Sequence, residues 1–545
     1  MAVRSGTVAS AAAWPALALV VLVGAGPLAG QSFSGPMSGD GPGSWMTAWS
    51  HFALTANLPR APARGVSPPN LFEPAPRIGL FWTRGNPGAL PFEMEDGWSE
   101  FRATNVSLDG DYRTPTDARS AEVFGLSGLG WKTVGERGAV IGHAISEQRT
   151  LSGSPAPSVR PYGSSPFTAA DTSMADVRHA RTRLEGAGGW RLGPVGLGIG
   201  AGYEAHDHRT RDTGVPRFGR AAVPAVSVGL AAPLGPRSLL GAYARWSGFA
   251  ETANAAAVGG ESLIYGTRGY REPISHFVLP GSFFFLRAEH DSRTGGLQAA
   301  GVWNALAWTA FVEAGGLRQT RWNDRSEDSP PKDRWSADAV AVGAAAQRSV
   351  AGVLWTLNLR WTTLSGEGSL AAGDGPEFTA EEGSVAGSLG ARLRPEGLAW
   401  SAAARAGLAY ETRTRTDDAA EISTDIETLT PSVAATVGWA PAEAALVSAG
   451  IGWTSYRTRG SIPLASGEGP GYQRVLAPEI ALRASPASAW TMALGVRYAV
   501  REDLLLWLRG QRESLSPASG AQAPPLRPSG NRTSTRLDLG VTLLP

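Results

Sequence analysis

The chain has 545 residues, among them 69 glycines, 39 prolines and 19 tryptophans, with 43% apolar and only 18% charged side chains. Soluble domains carry about 25% charged residues, so this chain is weakly charged, yet it is too apolar and aromatic for a disordered polymer and lacks the period of collagen. The absence of cysteine excludes disulfides, thiolate metal sites and cysteine nucleophiles, and 49 basic against 48 acidic residues, with no block of like charge, leave no electrostatic footprint for nucleic acid.

Residues 1–30 read as an export signal peptide. Arg4 is followed by an apolar run from Ala11 to Val23 and a small-residue exit, Gly24 to Gly30, before the polar Gln31. Removing the segment takes Arg4 with it and leaves a formally neutral chain. Residues 31–96 differ in texture. Pro59, Pro62, Pro68, Pro69, Pro74, Pro76, Pro87 and Pro91 deny them long regular elements, while Phe72, Leu80, Phe81, Trp82 and Phe92 call for a surface to pack on.

From residue 97 to the end no stretch offers the 18 or more apolar residues of a spanning helix. Period-two alternation recurs instead, which is the signal of a strand with two different environments. In 353–362 the odd positions are Val353, Trp355, Leu357, Leu359 and Trp361, and the even ones include Asn358, Arg360 and Thr362. Trp400 to Tyr410 opposes Ser401 and Arg405; Val433 to Trp439 and Val447 to Trp453 repeat the pattern; Trp490 to Tyr498 opposes Arg497; Leu537 to Leu543 opposes Arg536 and Asp538. Sandwich strands average five or six residues, whereas membrane-crossing strands need about 9 to 11. These runs are of the second kind.

Short connections at Val134–Gly138, Leu192–Val195, Pro233–Pro236, Asn304, Gln347–Val350, Arg394–Gly397, Ala440–Glu443 and Ser485–Ser488 alternate with long polar segments. That rhythm predicts an all-β fold, a closed antiparallel transmembrane barrel with short periplasmic turns and long outer loops. The count is about eighteen strands, within a range of 14 to 20. It takes 472–484 as one strand, and 281–303 and 489–513 as one strand each, both long enough to hide an extra hairpin or an extension beyond the membrane.

The signal segment, the alternating strands and the short-turn, long-loop rhythm resemble those of outer-membrane β-barrel proteins of Gram-negative bacteria. The resemblance implies the cell outer membrane as location. It also implies outer-membrane lipid, lipopolysaccharide and the barrel assembly machinery as partners. Such barrels commonly end in an aromatic residue, and this chain ends Leu543-Leu544-Pro545. Arg84-Gly85-Asn86-Pro87-Gly88-Ala89-Leu90 is similar to the Asn-Pro-Ala stretch of the long-chain fatty-acid and hydrophobic-compound transporters, with Gly88 where that family usually has alanine. That family threads an amino-terminal hatch into a fourteen-stranded barrel. Residues 31–96 are accordingly expected as a constriction at the periplasmic mouth, with a flexible leader as the alternative.

Asn358, Arg360, Arg405, Arg497, Arg509, Arg536 and Asp538 fall on polar faces and are the candidate lumen-lining residues. Trp355, Leu357, Trp361, Trp400, Trp439, Trp453 and Trp490 fall on apolar faces and are the lipid-facing or girdle candidates. His206 and His208 flank Asp207, and Trp322 to Asp328 is acidic, but neither has the ligand set of a zinc or calcium site. No catalytic constellation, metal site or cofactor is assigned. The function expected is passage of a small solute, passive or facilitated. A structural or adhesive surface barrel and a lipid-modifying barrel enzyme are the alternatives.

Overall fold

The computed structural model describes residues 78–93, 97–113, 118–154, 169–171, 175–210, 217–256, 262–268, 271–278, 283–322, 333–370, 377–393, 399–418, 422–442, 444–460, 477–501, 503–518 and 530–543. The signal segment, most of 31–96 and the acidic run 323–328 lie outside them.

Successive side chains of a strand point to opposite faces, and the alternating stretches form strands. In chain order they are β1 (Trp98–Gly110), β2 (Ser120–Val134), β3 (Gly138–Ser154), β4 (Ala169–Asp171), β5 (Ala175–Leu192), β6 (Val195–Thr210) and β7 (Arg217–Gly235). Next come β8 (Ser238–Ala256), β9 (Ser262–Arg268), β10 (Arg271–Val278), β11 (Phe283–Trp303), β12 (Leu306–Trp322), β13 (Asp333–Val350) and β14 (Val353–Leu370). The last are β15 (Phe378–Leu393), β16 (Trp400–Asp417), β17 (Ile422–Ala442), β18 (Ala445–Gly460), β19 (Ala487–Arg501), β20 (Leu504–Pro517) and β21 (Arg532–Leu543).

All but β4, β9 and β10 belong to one 18-stranded antiparallel meander. It closes where β21 returns to β1, with Ser99 opposite Leu543 and Gly110 opposite Arg532. Closure leaves no strand edge, which a bilayer requires because lipid cannot satisfy free backbone groups. The three remaining strands form a small sheet, β4–β9–β10, that ties two of the long connections together.

The strand count agrees with the sequence expectation through two errors of opposite sign. Residues expected as a strand over 472–484 contain a helix, Ala477–Arg483, and 489–513 divides into β19, ending at Arg501, and β20, starting at Leu504. Ser485–Ser488 therefore ends a long loop and is not a short turn. The turn expected at Gln347–Val350 sits at Ala351-Gly352 instead. Both of its residues, like Asn304-Ala305, have positive φ, the hairpin geometry whose twist matches that of the strands.

The outer surface is layered. Trp190, Trp303, Trp355, Trp400 and Trp439 point outward within a few residues of the short turns. A second aromatic row, Tyr203, Trp246, Trp361, Tyr410 and Trp490, points outward nearer mid-strand, and between the rows stand exposed Ile199, Val228, Leu359, Val437, Ile451 and Leu494. At and beyond the second row the exterior carries Arg209, Arg220, Arg293, Glu381, Glu427 and Arg457. An apolar belt bounded by indole rings and a charged collar is the surface of a protein that crosses a bilayer. The fold is that of an outer-membrane barrel.

Candidate functional site

The inner segment 78–93 owes its shape to local chemistry. Helix α1 (Leu80–Arg84) stops at Gly85, whose φ of 66° is left-handed. The Asn86 side chain then accepts from the Gly88 N–H at 3.0 Å, and Pro87 opens a single 3-10 turn, Pro87–Ala89. A short helix α2 (Leu90–Glu93) follows, and the Phe81 N–H donates to Glu93 Oε1 at 2.9 Å, folding the segment back on itself.

This unit lies inside the barrel at its short-turn end. Leu80, Phe81, Ala89 and Leu90 are fully buried, packed with Trp131, Ile141, Ala187, Ala231 and Ala300 from five strands of the wall. Trp82 meets Trp131 edge to face at 5.4 Å. The wall makes room with glycine. A Cβ at Gly189 or Gly198 would collide with Pro87, at Gly196 with the Gly88 carbonyl, at Gly229 with Asn86, and at Gly241 with Asn86 and Leu80. Lumen-facing glycines of β5 to β8 thus form a cradle in which Asn86-Pro87-Gly88 lies against bare backbone. Asn86 Nδ2 donates to the Leu230 carbonyl at 3.1 Å, and Arg191 Nη2 to the Pro91 carbonyl at 2.6 Å.

The segment is also held ionically. Glu313 of β12 receives Arg84 Nε at 3.6 Å, Arg245 Nη1 at 3.9 Å and the Tyr243 hydroxyl. Arg84 stacks over the Phe311 ring at 3.5 Å. Burial pushes the Arg84 guanidinium below its ordinary pKa, and the Glu313 carboxylate opposes that shift. A cation this deep in the lumen persists only with such a partner.

The lumen candidates chosen from sequence all point inward. Asn358 Nδ2 and Arg405 Nη2 both donate to Ser388 Oγ, at 3.4 and 2.8 Å. Arg509 donates to Gln511 Oε1 at 3.2 Å, and Arg536 pairs with Asp538 at 2.8 Å. Arg360 and Arg497 share the inward parity of their strands. Trp355, Trp361, Trp400, Trp439 and Trp490 are exposed on the exterior, and Leu357 and Trp453 lie on that face half-buried. Trp400 faces Trp439, and Trp453 faces Trp490, across neighbouring strands.

His206 and His208 face the lumen and Asp207 the outside, where it pairs with Arg209. His206 Nδ1 stands 3.1 Å from His179 Nε2, and its Nε2 stands 2.7 Å from Glu204. Among the described residues no group of three or more His, Cys, Asp or Glu is placed to hold a metal ion.

Sequence reasoning missed His179, the Arg84–Glu313 contact and the glycine cradle. One signal for the cradle was available: Gly196, Gly198, Gly200 and Gly202 repeat on one face of β6. A second inward element comes from the outer end. Helix α3 (Ala477–Arg483) buries Leu482 against Tyr112, Tyr456 of β18 and Leu515 of β20.

Residues 91–543 match the sequence profile of DUF6850, a family of unknown function, and the chain belongs to that family. No curated protein matches it. Solved structures that it is similar to include the siderophore receptor PiuA from Acinetobacter baumannii, at 10% identity and a TM-score of 0.40 over 82% of each chain. Another is the ferric preacinetobactin receptor BauA from the same bacterium, at 9% identity and 0.38 over 82% of this chain and 80% of that one. A mutant of the ferric enterobactin receptor PfeA from Pseudomonas aeruginosa has 11% identity and 0.38, over 82% and 81%.

Proposed function

We propose that this family member is an outer-membrane channel that passes a small solute passively or by facilitated diffusion, with residues 78–93 narrowing the lumen at its periplasmic end. The observation that carries the reading is the division of the lumen. The inner segment packs on the wall from β2 to β12, whereas the wall from β14 to β21 presents partly exposed Arg360, Arg405, Arg497 and Arg536 beside Asn358. Partly exposed guanidinium groups on an inward face imply water beside them, because a dry charge is costly. The hydrophobic-compound transporters that Asn86-Pro87-Gly88 resembles have fourteen strands against eighteen here, and a path beside arginines suits a polar solute.

Planar-bilayer recording tests this reading. The mature chain should give discrete conductance steps, and a chain with an export signal followed directly by residue 97 should give larger or noisier ones. Unchanged conductance in folded truncated barrels removes the constriction. Absence of conductance from both folded forms overturns the channel and leaves a structural or adhesive barrel.

A further inference from the structure

The lumen's charge is unevenly distributed. Within about eight residues of the short-turn ends, the side chains facing inward from β14 to β21 include Arg360, Arg392, Arg405, Arg497, Arg509 and Arg536. Among the described residues, the inward carboxylate at these levels on that stretch of wall is Asp538, with Glu513 of β20 just above them, while Arg501 and Asp503 at the turn pair with each other. On the other side of the lumen the same levels are balanced. Arg84, Arg102, Arg191 and Arg245 stand against Glu93, Glu100, Glu185 and Glu313, counting the inner segment with the wall.

We propose that this arginine arc makes the lumen selective for small anions, such as inorganic or carboxylate anions. The inference rests on the channel reading and names its substrate class. Guanidinium is positively charged at any physiological pH, so the arc is a fixed field. The screening length at 0.1 M salt is about 10 Å, so the arginines of the adjacent strands β14 to β16 act together, as do those of β19 to β21. Between Arg405 on β16 and Arg497 on β19, the wall is neutral and hydroxylic, with Ser432, Thr436, Ser448 and Thr491 facing inward. Among the described residues no inward carboxylate there, at these levels, offers a competing path for cations. Among the described residues the inner segment packs on the balanced side at these levels, and the arginines line the rest of the wall there. Charged rings in pores set ionic preference in this way.

The test is the reversal potential of the intact mature protein in planar bilayers under a tenfold KCl gradient. The expected result is a potential of the sign carried by chloride, with chloride at least several-fold more permeant than potassium. The triple variant R360Q/R405Q/R497Q should lose most of that preference, and R405K alone should keep it, because the charge and not the fork sets the field. Should the triple variant fail to fold, the wild-type potential still decides the matter. Conductance with no preference, or with a preference for potassium, overturns this inference and leaves the channel intact. Selectivity unchanged in a folded triple variant overturns the assignment to the arc. A protein without conductance overturns the channel reading itself.

Discussion

Gly88 of the inner segment and Gly229 of β7 meet backbone to backbone, so that a Cβ on Gly88 would stand 2.6 Å from the Gly229 carbonyl oxygen. Alanine, usual at this position in the transporters that the stretch resembles, therefore does not fit against this wall. Gly88→Ala or Gly229→Val should displace the segment at a cost of about 1 to 3 kcal/mol while the barrel stays closed. The expected readout is faster proteolysis near residue 88 together with unchanged heat-modifiable migration of the barrel. Equal protease resistance in both variants would show that the cradle does not hold the segment.

Glu313 is the shared partner of Arg84, Arg245 and Tyr243. Glu313→Ala leaves two guanidinium groups in a buried site, a change that costs about 3 to 5 kcal/mol when one partner of a buried pair is removed. Because the chain has no cysteine, a single Leu90→Cys variant reports on the segment alone. Its labelling by a thiol reagent should accelerate strongly in the Glu313→Ala background. A labelling rate unaffected by Glu313 would remove the ionic anchor.

Leu357 faces outward and Asn358 inward on β14. Leu357→Arg should destabilise insertion by about 2 to 4 kcal/mol, if it lies near the bilayer midplane, whereas Asn358→Arg should cost much less. Folding titrations into lipid vesicles measure the difference. Equal tolerance of arginine at both positions would reverse the assignment of faces.

The seam that closes the barrel carries its own polar contact. Thr104 Oγ1 of β1 donates to Asp538 Oδ1 of β21 at 2.7 Å, and Arg536 Nε donates to the other carboxylate oxygen at 2.8 Å. Asp538→Asn should lower stability by about 1 to 3 kcal/mol, as expected for a lost charge-assisted contact in a buried place, and Thr104→Val by less. Denaturant midpoints of vesicle-folded protein should fall in that order. The reverse order would mean that the seam is held elsewhere.

The faces of the strands were legible from sequence because side-chain parity is a local property. Once Trp355, Leu357 and Trp361 lie on one side, Asn358 and Arg360 must lie on the other. The short turns and long loops were legible for the same reason, and together they determine an up-and-down barrel. The individual strands at the end of the chain were not. Ile480 and Leu482 alternate as a strand would, but Leu482 finds its partners in Tyr112, Tyr456 and Leu515, residues remote in sequence, and that packing favours a helix. The residues between β19 and β20, Glu502 and Asp503, include neither glycine nor proline, so only the length of 489–513 marked the division.

The sequence alone determined which arginines face inward; only the closed sheet decided that they gather toward one end and on one side. Height depends on register between strands, and sidedness depends on closure, where β21 meets β1. The cradle is nonlocal in the same sense, since Gly189, Gly198, Gly229 and Gly241 lie on four strands and acquire their purpose only where Asn86-Pro87-Gly88 is laid across them. Parity is fixed by neighbouring bonds, whereas register, closure and docking are fixed by contacts between residues far apart in the chain, and these set the geometry of the lumen.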